Sequence, residues 1–146
     1  MAFKINIGDK SGKTYKLESE AEFLIDKKLH DTFQGKELKE ELDGYEFEIA
    51  GASDKSGFTS MKEVEGLGLK RILITYGKAM KRKPKKEGKK KQSNHKPKGL
   101  RLRKTVRGNM ISDKITQINL KILKYGKKSL EEVFNPKTEE APAEAQ

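Results

Sequence analysis

The side chains with the most to do in this chain are cations, and they are crowded into one stretch. Lys81 to Asn109 reads KRKPKKEGKKKQSNHKPKGLRLRKTVRGN. From Lys78 to Arg107 there are 15 Lys or Arg and one Glu, a net of +14, whereas the whole chain carries +11. The rest of the chain keeps 18 of its 33 cations and 21 of its 22 anions, a net of −3. A slightly acidic body with a cationic arm inserted in it implies a polyanionic partner. The chemistry such an arm can do is neutralisation of phosphates with release of counterions, which makes binding steeply salt-dependent. A solubilising loop needs only a few charges, and this many cations packed together repel one another.

The arm also says which polyanion fits. A membrane surface calls for an amphipathic helix with apolar wedges. Here Pro84, Pro97 and the near absence of apolar residues before Leu100 point away from one. Helix-turn-helix, zinc-finger and basic-zipper patterns, which would read DNA bases in a groove, do not occur. The arm has no aromatic side chain to stack on unpaired bases. It suits a compact, folded RNA whose phosphates it grips and whose shape it follows, ordering as it binds. Lys81, Arg82, Lys83, Lys85, Lys86, Lys89, Lys90, Lys91, Lys96 and Lys98 are the candidates for this contact.

Order returns at Leu100. Alternation puts Leu100, Leu102 and Val106 on one face of a strand and Arg101, Arg103, Thr105 and Arg107 on the other. Lys104 falls on the apolar face and must lie near an edge. Three arginines so mounted, all expected to face outward, present planar forks to phosphates at fixed places. Arg101, Arg103, Lys104 and Arg107 therefore join the candidate RNA-binding set. A second candidate segment is GASDKSGF, from Gly51 to Phe58. It reads either as a tight loop with Phe58 tucked into the core, or as a close backbone approach to RNA with Lys55 on a phosphate and Phe58 against a base or sugar.

Enzyme chemistry finds little support. The chain has no cysteine and two histidines, His30 and His95, which are far apart in sequence. Metal sites need clustered ligands. There is no Gly-x-Ser-x-Gly and no phosphate-cradling Gly-x-x-x-x-Gly-Lys-Ser/Thr. GLGLK, Gly66 to Lys70, is too short for a nucleotide loop. No cofactor, metal or small-molecule substrate is expected.

The elements that must position these residues are mostly strands. Hydrophobic content is 33% and charged content 38%, so part of the chain is expected to stay unfolded. Phe3, Ile5 and Ile7 alternate, Gly8 to Gly12 turns, and Tyr15 and Leu17 alternate again, which reads as a hairpin. Phe23 to Ile25 could be a short strand or one helical turn, and Lys36 to Leu42 a short helix. Tyr45 to Ala50 reads as a strand, Gly51 to Gly68 as a loop, Leu69 to Tyr76 as a strand and Ile115 to Lys124 as the last long strand. Ser129 with Glu132 three residues on opens a short helix. The expected fold is all-β and barrel-like, with five or six short strands and minor helix. One domain is expected over residues 1–135 with the arm, 78–99, inserted in it, followed by a disordered acidic tail, 136–146. No apolar run approaches the roughly 20 residues of a membrane span, and the first residues lack a signal-peptide apolar block, so a soluble intracellular protein is expected.

Three stretches resemble a known family, the small-subunit ribosomal protein S-six of the archaeal and eukaryotic type. GASDKSGF is similar to that family's Gly-Gly-Ser/Asn-Asp-Lys-x-Gly-Phe segment, RLRKTVRGN to its Arg/Lys-Arg-Lys-Ser/Thr-Val-Arg-Gly signature, and ITQINLKILKYG to its last core strand. With FKINIGD at the start, the resemblance runs over residues 1–126. It implies a β-barrel-like structural component of the cytoplasmic ribosome. Such a protein is a monomer that binds small-subunit ribosomal RNA beside neighbouring ribosomal proteins and has no enzymatic activity. The alternative is a non-ribosomal RNA chaperone or RNA-processing partner on a similar barrel. The resemblance is to the archaeal-length form, so kinase regulation of the long C-terminal helix of eukaryotic members is not carried over. Ala52 stands where a second glycine is usual, FTSM replaces a usual Phe-Pro-Met, and the arm is longer than usual around Lys89 to Lys98.

Overall fold

The computed structural model describes residues 2–80 and 99–134. The expectations of disorder along the arm and tail fall on residues 81–98 and 135–146, outside the described residues. Seven strands and one short helix form in the order β1 (Phe3–Gly8), β2 (Thr14–Ser19), β3 (Thr32–Gln34), β4 (Glu46–Asp54), β5 (Leu69–Ile74), β6 (Leu102–Arg107), β7 (Ile115–Lys124) and α1 (Leu130–Phe134). They make a five-stranded sheet, β2-β1-β7-β4-β3, and a separate two-stranded sheet, β5-β6.

Period-two alternation builds the larger sheet. In β1 every second residue is buried, and Phe3, Ile5 and Ile7 enter the core while Lys4 stays out. Asp9 and Gly12 close the turn to β2, with Gly12 at φ 89°, a left-handed conformation that glycine adopts without strain. β1 then pairs in parallel with β7, Ile5 beside Ile118 and Ile7 beside Leu120. The first and last strands are thus stitched together at the sheet centre. Phe47 and Ile49 of β4 and Ile118, Leu120 and Ile122 of β7 complete the core with Leu24, Leu42 and Ile111. Burying one such side chain contributes about 1.5–3 kcal/mol.

The structure departs from the sequence expectations in four places. The strands number seven because Thr32–Gln34 pairs with β4 through Phe33 opposite Phe47; three residues are too few to show alternation. Lys36 to Leu42 forms two 3-10 turns, Gly35–Glu37 and Glu40–Leu42, in place of one helix, whereas of the two alternatives for Phe23 to Ile25 the helical turn is the one that forms, as the 3-10 turn Glu22–Leu24. β4 runs on through Asp54, so Gly51–Asp54 is strand where a loop was expected. A bulge at Ala50, between Ile49 opposite Leu120 and Gly51 opposite Asn119, turns Ala52 toward Ile118 and the core and leaves Gly51 on the other face, beside Asn119 and Lys78. The fourth place is Arg107, described below.

The helix at the chain's end is capped as its sequence suggests. Glu132 N–H donates to Ser129 Oγ and Ser129 N–H to Glu132 Oε2, each at 3.3 Å, a reciprocal capping box. Leu130 is buried, and Phe134 stacks on Tyr15 of β2 with ring centroids 5.3 Å apart. Among the described residues no helix is long and apolar enough to cross a membrane.

Candidate nucleic-acid interface

β5 and β6 pair antiparallel, from Leu69 opposite Arg107 to Ile74 opposite Leu102. The cationic arm is therefore the connection of a β-hairpin, and its two roots leave the same end of the small sheet. The first root is fastened: Gly77 and Met80 exchange backbone hydrogen bonds of 2.9 and 3.1 Å, and Met80 is buried. The Lys78 ammonium donates to the carbonyl of Ala50 at 3.4 Å, the residue left over by the bulge in β4. The pairing register places Arg71 opposite Thr105 and Leu73 opposite Arg103 on one face of the hairpin. On the other face Ile74 and Val106 are buried, while Lys70 and Lys104 lie exposed.

The loop after β4 docks against the end of β6. Asp54 and Phe58 close a tight turn, with Asp54 N–H donating to the Phe58 carbonyl at 3.1 Å and Ser56 N–H to Asp54 Oδ1 at 2.9 Å. Arg107 N–H donates to the carbonyl of Thr59 and Met61 N–H to that of Arg107, both at 3.0 Å. The Arg107 guanidinium closes the junction. Nε and Nη2 donate to Asp54 Oδ2 at 3.0 and 2.6 Å, and Nη1 donates to the Leu67 carbonyl at 3.0 Å. The Ser56 N–H and the Arg107 guanidinium together hold the Asp54 carboxyl below the usual aspartate range. Next to it, Gly108 lies so close to Gly66 that an added Cβ would sit 1.7 Å from the Gly66 carbonyl oxygen. Only glycine fits there.

This docking makes a cleft of about 350 Å³ lined by Gly57, Phe58 and Thr59 of the loop, Arg71 of β5, Ala79 of the arm's root, and Arg103, Lys104 and Thr105 of β6. Arg71 and Arg103 from one face of the hairpin, and Lys104 from the other, line it together with one aromatic ring, and no carboxylate is in the lining. Among the described residues none of the three cations has an ion-pair partner. A larger concavity of about 580 Å³ lies elsewhere, lined by Glu37, Asp43 and Glu46 against Lys124. Its carboxylates repel phosphate, so the smaller cleft is the one suited to a nucleic acid.

Residues 3–135 match the family model described as ribosomal protein S6e. The chain belongs to the ribosomal protein S6e family. Small ribosomal subunit protein eS6 of Methanococcus maripaludis strain C6 is 41% identical over 127 residues, covering 86% of this chain and 90% of that one. The protein of the same name from Nanoarchaeum equitans is 41% identical over 134 residues, with 90% and 89% covered. That from Methanosphaera stadtmanae is 38% identical over 143 residues, with 96% and 98% covered. The S6e family is a family of structural ribosomal components without enzymatic activity.

Set against this S6e chain, the candidate residues divide. Arg103 and Lys104 meet in the cleft, Arg101 is exposed at the foot of β6, and Lys55 is exposed at the tip of the Asp54–Phe58 turn. The ten candidates from Lys81 to Lys98 lie outside the described residues. The outward placement expected of Arg107 is corrected: it is 6% exposed and its guanidinium is committed to Asp54 and Leu67. Phe58 is half-buried, neither wholly in the core nor free. Two cations escaped the sequence reading. Arg71 sits in a strand read for its Ile and Leu residues, although alternation through Leu69, Arg71 and Leu73 signals a shared outward face. Lys78 was counted in the arm's charge, and nothing in the sequence marks its contact with Ala50. His30 pairs with Glu48 at 2.7 Å in a turn, and no group of potential metal ligands gathers among the described residues.

Proposed function

We propose that this chain is a structural constituent of the small ribosomal subunit, in the cytoplasm, that binds ribosomal RNA through the β5–β6 hairpin and its arm. The observation that carries the reading is the hairpin itself. Exposed Arg71, Arg103 and Lys104 of the small sheet, with Arg101 just before β6, stand at the roots of an arm that is almost wholly cationic. The five-stranded sheet is the footing. It holds the hairpin against the Asp54–Phe58 turn, so the arginine forks have fixed positions while the arm supplies charge. Lys81 to Lys98 neutralise phosphates, and Lys55 adds a contact at the loop tip. Residues 1–135 act as one domain with the arm as its insertion. The protein is a single copy among neighbouring ribosomal proteins.

Ultraviolet crosslinking of the tagged protein in cells, followed by sequencing of the attached RNA, tests this reading. Crosslinks concentrated at one locus of small-subunit ribosomal RNA are expected. Crosslinks scattered over many transcripts, with no comigration of the protein with the small subunit at moderate salt, would transfer the chain to RNA chaperones.

A further inference from the structure

We infer that the cleft between the Asp54–Phe58 turn and the β5–β6 hairpin is a pocket for a single unpaired RNA nucleotide, with its base against Phe58 and its phosphate between Arg71 and Arg103. The inference rests on the RNA-binding reading above and adds a discrimination to it. A charged arm without aromatic residues holds paired and unpaired RNA alike, because both present phosphates. Discrimination needs an aromatic platform, since every unstacked base has a π-face to offer it. Phe58 is the one aromatic residue that lines the cleft, and it is half-buried. The turn that carries it is fixed by the Asp54, Ser56 and Gly57 hydrogen bonds and by Arg107. The platform is therefore set before RNA arrives.

The surroundings fit a nucleotide. The volume of about 350 Å³ lies at the lower end of the roughly 300–1,000 Å³ of small-molecule pockets. Ala79 adds an apolar wall, and the hydroxyls of Thr59 and Thr105 can donate to or accept from a base edge or a ribose hydroxyl. Arg71 and Arg103 lie on opposite strands of one face, while Lys104, which follows Arg103, belongs to the other face and stands at the rim of the cleft. Ala79 is also part of the arm's first root, residues 77–80.

The test uses the full chain and two RNA hairpins, one with a fully paired stem and one with a single bulged adenosine. Wild-type protein is expected to bind the bulged hairpin roughly tenfold more tightly, within the range that base–aromatic stacking contributes. Phe58→Leu is expected to remove that preference while leaving affinity for the paired hairpin unchanged. Because the chain has no tryptophan, Phe58→Trp reports the pocket directly, and the bulged hairpin alone should quench its fluorescence. Equal wild-type affinity for the two hairpins, or a preference that survives Phe58→Leu, would overturn the pocket and leave the RNA reading standing. An equal quench by adenosine monophosphate at the same concentration would make it a mononucleotide site and overturn the RNA assignment. Failure to bind either hairpin at low salt would overturn both readings together.

Discussion

The five-stranded sheet and the β5–β6 hairpin are built from the same alternation and use it for opposite ends. In β1, β4 and β7 the inward positions Ile5, Phe47, Ile49 and Ile118 have no exposed surface at all. In β5 only Ile74 is buried, and Leu69 and Leu73 remain about half exposed beside Arg71. The hairpin therefore draws little of its stability from burial. It is held at one end by the Arg107–Asp54 ion pair and by the Gly108–Gly66 approach, and its outward face is left for charge. The separation has a physical reason. Crowded cations repel one another, and a hairpin clear of the main core can carry that repulsion without straining the sheet that positions it.

The division can be broken most severely from the core side. Phe47→Ala should cost about 3–5 kcal/mol of unfolding free energy, because it deletes a fully buried ring and leaves a cavity. The combined change of Arg101, Arg103 and Lys104 to Ala should move stability by less than about 0.5 kcal/mol, as exposed sites do, while weakening RNA binding. Urea unfolding and RNA titration of both variants check this. A large stability loss in the triple variant would mean that the hairpin face is structural after all.

Arg107→Ala comes next, with an expected loss of about 3 kcal/mol from stranding a buried carboxylate. Its effect is tied to pH. The Asp54 carboxyl titrates below the ordinary aspartate value of 3.8, so the unfolded chain binds the proton first as pH falls. Stability contributed by Asp54 is thus complete above that value and is lost as pH falls toward and through the lower folded value. Acid titration of unfolding should show a shallower loss below pH 3.8 in Asp54→Asn than in wild type. Parallel slopes would mean that the ion pair does not hold the junction.

On the binding side, removal of Lys89 to Lys98 takes away five lysines. The slope of log affinity against log salt should become shallower by up to about 4, with an affinity loss on the order of 100-fold at moderate salt and an unchanged melting temperature. An unchanged slope would mean that those lysines do not touch phosphate.

What could be read in the sequence follows the same division. β1, β7 and the capping box were legible because a long period-two run and a Ser-x-x-Glu spacing are local signals. β3 was not, because Thr32, Phe33 and Gln34 are strand only by pairing with β4. Arg107 shows the limit most clearly. Alternation put it on the same face as Arg103, and the register agrees. Its burial comes from a loop some fifty residues earlier in the chain folding over that end of the face, which period and composition cannot reveal. For the site, the charge of the arm was plain, but the cleft that joins Phe58 to Arg71 and Arg103 is a product of the same docking.

The smallest expected effect tests whether the two regions are independent. Ser129→Ala removes one half of the capping box and should cost about 0.5–1 kcal/mol. The loss should be local, since α1 spans only Leu130–Phe134 and covers β2 through Phe134 on Tyr15 and through the Lys13–Glu131 ion pair. Hydrogen exchange should therefore quicken at the β2 amides and stay unchanged in β5 and β6, with RNA affinity unaltered. Faster exchange in the hairpin would mean that the edge of the large sheet and the basic face open as one cooperative unit. In that case the hairpin would depend on the whole body for its order, and the junction at Arg107 would be only one of the contacts that hold it.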